Sequence, residues 1–236
     1  MKEIPDYTPL EKLIVRRPVE RIDFLRRQVE GMRVLDLGAL DETAVNKIDT
    51  PFWLHSQMAS VASLVLGVDM ARMLPEVGLE TSRNSKIIRG NVYDSVSLVE
   101  DNAIDVIVAG EIIEHLENTS LFLQNLKAEP AMQGKLLLIS TPNSTSFYNF
   151  ILGVFGRESC HRDHLQIYSY KTLTRLFLNA NFQDWQLIPY YSMFTEMTIR
   201  HSGVKATLVR FSEKLCNSVE FLFPMLAGGW IAVVTV

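Results

Sequence analysis

The stretch MRVLDLG, residues 32–38, decides how this sequence folds. It is a short, almost wholly apolar run that ends in an Asp and a Gly, which is typical of a buried strand followed by a tight turn. Similar runs follow at 64–69 (LVLGVD), 103–110 (AIDVIVAG) and 135–140 (KLLLIS), and segments with helical spacing of apolar residues separate them. This alternation predicts an α/β fold with a doubly wound, mostly parallel sheet.

Weaker signals extend the predicted sheet to seven strands. Residues 86–89 indicate a short strand, and residues 184–189 and 229–236 indicate two late strands with a helix at 204–222 between them. Two late strands separated by a long helix predict an antiparallel pair at the edge of the sheet.

The domain organisation is simple. No linker rich in Gly, Ser or Pro divides the 236 residues, and no internal repeat is apparent. We therefore expect a single domain over residues 1–236, with a preceding helix at about 18–30 and an inserted segment at about 141–169.

The composition excludes several classes of protein. Apolar residues make up 47% of the chain and charged residues 21%, which excludes a disordered or fibrous protein. A net charge of −4 without a basic block argues against a nucleic-acid partner. Two cysteines are too few for a disulfide scaffold, and they indicate a reducing compartment.

The most apolar stretch is residues 221–236, which Pro224, Gly228 and Gly229 interrupt. It is shorter than the roughly 20 residues that span a bilayer. The N-terminal residues also lack the apolar run of a signal peptide. We expect a cytoplasmic protein with no stable membrane insertion, in which this stretch forms a helix end and a buried strand. Peripheral membrane contact is the alternative.

Polar residues and glycines end four successive predicted strands. In open parallel sheets, ligands bind beyond the carboxyl ends of the strands. An Asp such as Asp69 at the end of a second strand can accept hydrogen bonds from both hydroxyls of a ribose, and Gly38 lets a ligand approach the backbone. The alternatives are a helix cap or turn residue for Asp36, and a cap for a helix starting near Ala71 for Asp69.

The motifs VLDLG, GVDM, IIRGNVYD, IDVIVAGEIIEHL and GKLLLISTPN occur in this order along the chain. Over about residues 31–182 this order resembles the class I S-adenosylmethionine-dependent methyltransferases. The E-x-x-E-H-L sequence most resembles the small-molecule members, including the ubiquinone-biosynthesis O-methyltransferases. The resemblance implies a Rossmann-like, seven-stranded sheet with a reversed edge strand, and S-adenosyl-L-methionine as the cofactor.

The resemblance further implies that the strand-end residues bind this cofactor. Asp69 would hold the ribose, and Asn91 would face the adenine amino group from a position where the family usually has Asp. Gly110 and Glu111 would line the methionyl moiety. The full implied set is Asp36, Gly38, Ala39, Asp69, Met70, Asn91, Val92, Tyr93, Gly110 and Glu111.

The first motif departs from the family pattern. The family usually has D-x-G-x-G-x-G, whereas this chain has DLGALDE at 36–42 and lacks two of the glycines. Asp69 follows Asp36 by 33 positions, although about 20 are expected between such a motif and its ribose acid. The extra length falls around 43–55, which we interpret as a loop over the cofactor entrance. The alternative is a surface loop before a helix, with Trp53 in the core.

The run EIIEH at 111–115 adds two carboxylates and an imidazole. If a helix begins near Glu111, then Glu111, Glu114 and His115 lie within one turn and could hold a divalent cation. Such a trio is linked with a metal in the ubiquinone-pathway enzymes that the chain resembles. We favour the alternative, in which Glu111 faces the cofactor while Glu114 and His115 make local hydrogen bonds, and so we predict no metal.

Methyl transfer to oxygen benefits from a base, and His is the usual base near neutral pH. We predict His115 and His164 as the catalytic residues, with His161 as a further candidate and a structural role as the alternative for each. The Phe- and Tyr-rich stretch at 147–155 predicts a substrate lid. We therefore expect a small-molecule acceptor methylated at oxygen, with nitrogen or carbon as alternatives, and a homodimer as a candidate assembly.

Two other function classes remain as alternatives. A nicotinamide-dependent oxidoreductase needs G-x-G-x-x-G after the first strand, and the sequence offers only Gly38 there. A non-catalytic methyltransferase-like scaffold is the other alternative, because two glycines of the first motif are missing.

Overall fold

The computed structural model describes Leu10, Lys47 and residues 12–40, 50–94 and 103–236. In these ranges eight strands form one sheet. They are β1 (Arg33–Leu37), β2 (Leu64–Asp69), β3 (Leu79–Ser82), β4 (Ser85–Arg89), β5 (Val106–Gly110), β6 (Leu136–Pro142), β7 (Trp185–Tyr190) and β8 (Gly229–Thr235).

The strands follow the order β3-β4-β2-β1-β5-β6-β8-β7. The strands β4, β2, β1, β5 and β6 run parallel, so their carboxyl ends lie along one edge of the sheet. The register places Asp36 between Gly67 of β2 and Val108 of β5. The predicted α/β fold with a mostly parallel sheet is therefore confirmed.

One border of the sheet differs from the prediction, and the other agrees with it. Seven strands were expected, but β3 adds an eighth by pairing antiparallel with β4. Its sequence, LETS, alternates between half-buried and exposed residues, so no apolar run marks it. The antiparallel pair of late strands expected at the edge is confirmed: β7 is outermost, and the reversed strand β8 lies between β6 and β7 and is antiparallel to both. It takes this inner position because its side chains are apolar and nearly all buried.

Seven α-helices are described in the same ranges. They are α1 (Arg21–Gln28), α2 (Leu54–Ala59), α3 (Thr119–Ala128), α4 (Phe147–Val154), α5 (Tyr170–Asn179), α6 (Thr195–Arg200) and α7 (Gly203–Leu222). The helix predicted at about 18–30 is α1, and the helix predicted at 204–222 is α7. Local caps define two of the starts: Asn118 accepts the backbone N–H of Leu121 at α3, and Ser169 and Thr172 form a capping box at α5.

The helices cover both faces of the sheet. On one face, Phe122 of α3 and Phe177 of α5 belong to the same buried cluster as Trp230 of β8. On the other face, Leu25 of α1 and Met58 of α2 pack on the strands. Each buried side chain of this size contributes about 1.5–3 kcal/mol. The two layers hold the carboxyl ends of the strands rigidly in place.

The segment predicted as an insertion at 141–169 starts within β6 and contains α4. Asn143 fixes its beginning, because its Nδ2 donates to the carbonyl oxygens of Met225 and Ala227. The role of this segment as a substrate lid stays a prediction.

The helix α7 is the longest helix described, with 20 residues. Its buried residues are only Ala206, Cys216 and Glu220. Across the described ranges, no helix combines the length and the apolarity that a membrane crossing requires.

Candidate functional site

The site lies where β1, β2 and β5 end side by side. Gly38 follows β1 with a φ of +76°, and its N–H donates to the carbonyl of Val68 at 2.9 Å. A Cβ at this position would lie 2.8 Å from Cδ1 of Ile112, so the tight turn requires Gly. The turn brings the loop after β1 against the segment after β5.

Asp36 lies within β1 and is buried. Its Oδ2 is 2.8 Å from Nδ1 of His55, and Nε2 of His55 is 3.1 Å from the hydroxyl of Thr81. Asp36 is thus neither a helix cap nor a turn residue, and its carboxylate joins β1 to α2 beneath the strand ends. No local motif or spacing identifies His55 as the partner of Asp36, because tertiary packing brings the two side chains together.

Asp69 ends β2, and its carboxylate bridges two backbone segments. Oδ2 accepts the N–H of Leu40 at 2.9 Å, and Oδ1 accepts the N–H of Ala71 at 2.8 Å. Burial raises the pKa of this carboxyl group. The acceptance from Ala71 agrees with the alternative of a local cap, although turns rather than a helix follow. The half-buried carboxylate still lies at the crevice, so its ribose contact stays a prediction.

The other residues predicted at the adenine side differ in exposure. Met70 is 66% exposed, whereas Val92 is buried in the core. Asn91 uses Oδ1 to accept the N–H of Tyr93, and the Tyr93 hydroxyl accepts the N–H of Asn118. Met70, Asn91 and Tyr93 therefore offer surface to a ligand, while Val92 shapes the wall behind them.

The loop predicted over the cofactor entrance at 43–55 is only partly described, because residues 43–46 and 48–49 lie outside the described ranges. Trp53 is buried, and its Nε1 donates to the carbonyl of Ala39 at 3.0 Å. The alternative interpretation of Trp53 as a core residue is therefore the correct one. Ala39 is also buried, and its backbone carbonyl is the acceptor of this hydrogen bond.

Glu111 follows β5 with a φ of +56°, an unusual conformation for a residue other than Gly. Such a residue costs about 1–3 kcal/mol and occurs mainly at functional sites. The Tyr190 hydroxyl donates to Oε1 of Glu111 at 2.9 Å, and Nη1 of Arg21 lies 4.0 Å from the same oxygen. Nη1 of Arg21 also donates to the Ser140 hydroxyl at 3.2 Å. Sequence reasoning missed Arg21 and Tyr190, because they come from α1 and β7, far along the chain.

A cluster of histidines adjoins this segment. The helix expected from Glu111 is only one 3-10 turn, Ile113–His115. The rings of His115 and His164 meet edge to face with centroids 4.6 Å apart, and the ring of His161 lies 6.1 Å from that of His115. The backbone N–H groups of Leu165 and Gln166 donate to the carbonyl of Glu114, which holds the two segments together. The structure thus brings the two predicted catalytic histidines together.

Glu114 is buried next to these histidines. Its Oε2 accepts the hydroxyl of Thr141 at 3.0 Å, whereas Oε1 is a buried atom for which the described residues supply no hydrogen-bond partner. Burial raises the pKa of this carboxyl group well above its ordinary value, and the charge of Glu111 adds to the effect. Ionisation of this group is therefore less favourable than that of an exposed glutamate, and a bound cation would favour it.

Glu114, His115 and His164 each offer a ligand atom, and these atoms lie within 4.8 Å of one another. Nδ1 of His115 lies 3.2 Å from the carbonyl of Asp163, which leaves Nε2 for a ligand. One carboxylate oxygen and two imidazole nitrogens suit a divalent transition metal. The group differs from the predicted trio, because Glu111 instead contacts Tyr190 and Arg21.

A surface cavity of about 450 Å³ lies between the segment that follows the histidine cluster and helix α5, and none of its lining residues is a predicted site residue. It is lined by Gln166, Ile167, Tyr168, Thr172, Arg175 and Leu176. Nε2 of Gln166 donates to the carbonyl of Leu116, so the cavity borders the turn that carries His115.

A family profile described as a methyltransferase domain matches residues 11–187. The chain belongs to the methyltransferase domain family. This membership, with the strand order above, confirms the prediction of a class I, S-adenosylmethionine-dependent methyltransferase and of its cofactor. The likeness to ubiquinone-biosynthesis enzymes stays a prediction. No curated protein matches this methyltransferase.

Solved structures share the fold of this methyltransferase. One is a SAM-dependent methyltransferase from Archaeoglobus fulgidus, 16% identical, with 92% of this chain and 93% of that chain covered and a TM-score of 0.55. The small RNA methyltransferase HEN1 is 16% identical, with 96% of this chain and 27% of that chain covered and a TM-score of 0.56. Phosphoethanolamine N-methyltransferase 2 of Haemonchus contortus, in complex with S-adenosyl-L-methionine, is 13% identical, with 92% and 52% covered and a TM-score of 0.51. At these identities the similarity concerns the fold alone.

Proposed function

We propose that this methyltransferase methylates a hydroxyl oxygen of a small molecule, and that one imidazole of the adjacent pair, His164 or His115, accepts the proton of that hydroxyl. The observation that carries the proposal is the contact between the two imidazoles, whose centroids lie 4.6 Å apart beside the turn after β5. S-adenosylmethionine supplies the methyl group on an activated sulfonium when it is bound. The chain itself has to orient the acceptor and remove its proton.

The protonation state of the histidines supports this role. Burial lowers the pKa of His164 below its ordinary value of 6.5, and the neighbouring His115 lowers it further. His164 is therefore neutral near neutral pH, and a neutral imidazole can accept a proton. The Asp163 carbonyl orients the His115 ring through Nδ1, so that Nε2 faces away from the backbone.

The cofactor assignment follows the exposure of the strand-end residues. We assign direct contacts to the residues that keep accessible surface at the crevice, and a shaping role to the buried ones. Asp36, Ala39 and Val92 are the buried ones. The contacting set is Gly38, Asp69, Met70, Asn91, Tyr93, Gly110 and Glu111. The half-buried carboxylate of Asp69 supports this fit, because it can accept hydroxyl hydrogen bonds at the carboxyl end of β2.

Replacement of each histidine tests the proposal. We expect His115→Ala and His164→Ala to lower kcat about 100-fold or more, because each removes a proton acceptor, while the Kd of S-adenosylhomocysteine stays unchanged. The matched control is His201→Ala, because His201 is an exposed histidine outside the cluster. Unaltered turnover in both variants would remove the histidines from the mechanism.

A second candidate is methyl transfer assisted by a divalent cation at Glu114, His115 and His164. The specific observation in its favour is Oε1 of Glu114, a buried carboxylate oxygen without a partner among the described residues. A cation held there would lower the pKa of an acceptor hydroxyl that binds to it. The same three side chains would then orient the acceptor, and because both imidazoles would be metal ligands, a solvent water molecule would accept the hydroxyl proton.

Metal titration separates the two candidates. The cation proposal predicts that Mg²⁺, Mn²⁺ or Zn²⁺ raises the Tm of the metal-free protein, and that Glu114→Gln abolishes the shift. It also predicts that chelation removes activity. If chelation leaves kcat unchanged and none of the three cations shifts the Tm, the imidazole base alone remains.

The acceptor class is proposed from the charge of the chain. Two of the structural neighbours are a small RNA methyltransferase and a phosphoethanolamine N-methyltransferase. We favour a small hydroxyl compound because a net charge of −4 opposes binding of a polyanion. Transfer of a labelled methyl group to a phenol or catechol panel supports this choice. Transfer to RNA or to an amine instead would contradict it.

A further inference from the structure

The outward surface of α7 carries large apolar side chains. Their exposed fractions range from 58% to 77%. They recur with spacings of four, three, four and seven residues, which places them in a single stripe along the helix. We call these residues the α7 stripe; they are Val204, Leu208, Phe211, Leu215 and Leu222.

The α7 stripe is not the face by which the helix packs on the protein. The buried residues Ala206, Cys216 and Glu220 lie on the opposite side of α7. The neighbouring helix α4 packs against α7; Phe150 within α4 and Phe155 directly after it are 63% and 73% exposed. An exposed apolar surface of this extent is typical of an interaction site.

The basic side chains of α7 face the solvent, whereas its acidic side chains face the protein. The exposed charged residues are Lys205, Arg210 and Lys214. The two acids of the helix face the protein: Glu213 accepts the N–H of Phe194, and Glu220 accepts the N–H of Ser192. The solvent side of α7 thus combines an apolar stripe with flanking cations, which is the pattern of a helix that lies in a lipid interface.

We propose that the α7 stripe docks reversibly on an anionic lipid surface, with the helix lying in the plane of the headgroups. The apolar side chains would enter the boundary with the acyl chains, while Lys205, Arg210 and Lys214 would contact the lipid phosphates. This mode of binding needs no membrane-spanning helix.

A second copy of the chain fits the stripe less well. A symmetric antiparallel pair of α7 helices would bring the Arg210 and Lys214 flank of one copy against the same flank of the other. Such like charges repel at short range, and an interface of this kind lacks a neighbouring acid on α7 to offset them. The charge pattern complements an anionic bilayer instead.

Hydrogen bonds connect the segment after α7 to the edge of the sheet that carries the site. Asn143, just beyond β6, holds the carbonyl groups of Met225 and Ala227 after α7. Thr141, two residues earlier, donates to Glu114. Docking through α7 would therefore hold against the bilayer a helix whose C-terminal end is joined to this edge.

Vesicle flotation with the full chain tests the proposal. We expect binding to vesicles of equal parts phosphatidylcholine and phosphatidylglycerol, little binding to phosphatidylcholine alone, and release by salt. Phe211→Asp should lower the partition coefficient about tenfold. Lys214→Glu should lower it several-fold on the anionic vesicles only. Val77→Asp is the matched control, because Val77 is 79% exposed and lies outside this surface.

Two results would overturn the proposal. One is equal binding of the wild type and Phe211→Asp to the anionic vesicles, or no binding by either, with circular dichroism showing that both are folded. The other is a wild-type dimer in sedimentation velocity that Phe211→Asp converts to a monomer, which would assign the stripe to a second copy. These measurements do not depend on methyl transfer, so their outcome neither supports nor contradicts the proposed function.

Discussion

Glu114 and Glu220 are both buried carboxyl groups, but their hydrogen bonding differs. Both oxygens of Glu220 have partners: Oε2 accepts the N–H of Ser192, and Oε1 accepts its hydroxyl and the thiol of Cys216. Glu114 has Thr141 on one oxygen, and no described group on the other. Burial raises the pKa of both groups.

This difference separates a structural acid from an acid available to a ligand. Both oxygens of Glu220 accept hydrogen bonds, and the side chain joins α7 to the segment after β7. Its hydrogen bonds therefore stabilise the packing of α7. Glu114, which has one oxygen without a described hydrogen-bond partner, lies beside two imidazoles at the carboxyl edge of the sheet, where ligands bind in this fold. A buried polar atom without a partner is unfavourable by about 1–3 kcal/mol, which a bound cation or acceptor could offset.

Glu220→Ala should have the largest effect on stability. It leaves the N–H of Ser192 buried without an acceptor and creates a cavity, so we expect a loss of about 3 kcal/mol in the free energy of unfolding. Urea unfolding measures this loss. Glu220→Gln is the control, because it keeps one acceptor oxygen and should cost about 1 kcal/mol. Equal losses in the two variants would show that the hydrogen bonds of Glu220 contribute little.

Glu114→Gln should show the opposite behaviour. An amide oxygen can still accept the hydroxyl of Thr141, so we expect the free energy of unfolding to change by less than about 1 kcal/mol. We expect kcat to fall about tenfold or more, because the group next to the histidines is altered. A large loss of stability with normal turnover would place Glu114 in the same class as Glu220.

Asp36→Asn extends the comparison to a third buried carboxylate. Asp36 is paired with His55, so we expect a loss of stability of about 1–2 kcal/mol and an unchanged Kd for S-adenosylhomocysteine. Calorimetric titration together with urea unfolding checks both parts. A large change in Kd at unchanged stability would place Asp36 in contact with the cofactor.

The smallest expected effect is a change in the pH dependence of stability. Because burial raises the pKa of Glu220, the folded state holds its proton more tightly than the unfolded state does. The stabilisation from Glu220 is therefore fully present below the ordinary pKa of 4.5 and is lost as pH rises through the raised value. Glu220→Gln should flatten this part of the stability profile. The contribution of Glu220 is the difference in the free energy of unfolding between the wild type and Glu220→Gln, in which the other carboxyl groups cancel. A difference that rises with pH in this window would contradict the assignment.

Local sequence patterns were sufficient to predict the parallel part of the sheet. The apolar runs of β1, β2, β5 and β6 predicted the parallel sheet, and the residues at their ends predicted the edge where Gly38 and Asp69 lie. The strand β3 was missed because its stability comes from pairing with β4, which leaves no apolar run.

Long-range contacts account for what the sequence did not reveal at the site. His115 and His164 were predicted separately, but their contact depends on a loop that returns to the turn after β5. Tyr190 reaches Glu111 across 79 positions, and Arg21 reaches the same carboxylate from α1. No local periodicity encodes such pairs, because tertiary packing alone brings them together.

The central claim is that the crevice at the ends of β1 and β2 holds S-adenosylmethionine with Asp69 on its ribose. Isothermal titration with S-adenosylhomocysteine tests it most directly, with Asp69→Ala compared against the wild type. We expect a Kd of about micromolar order for the wild type and an affinity lower by about tenfold or more for Asp69→Ala. Equal affinity in the two proteins, or no binding by the folded wild type, would contradict it.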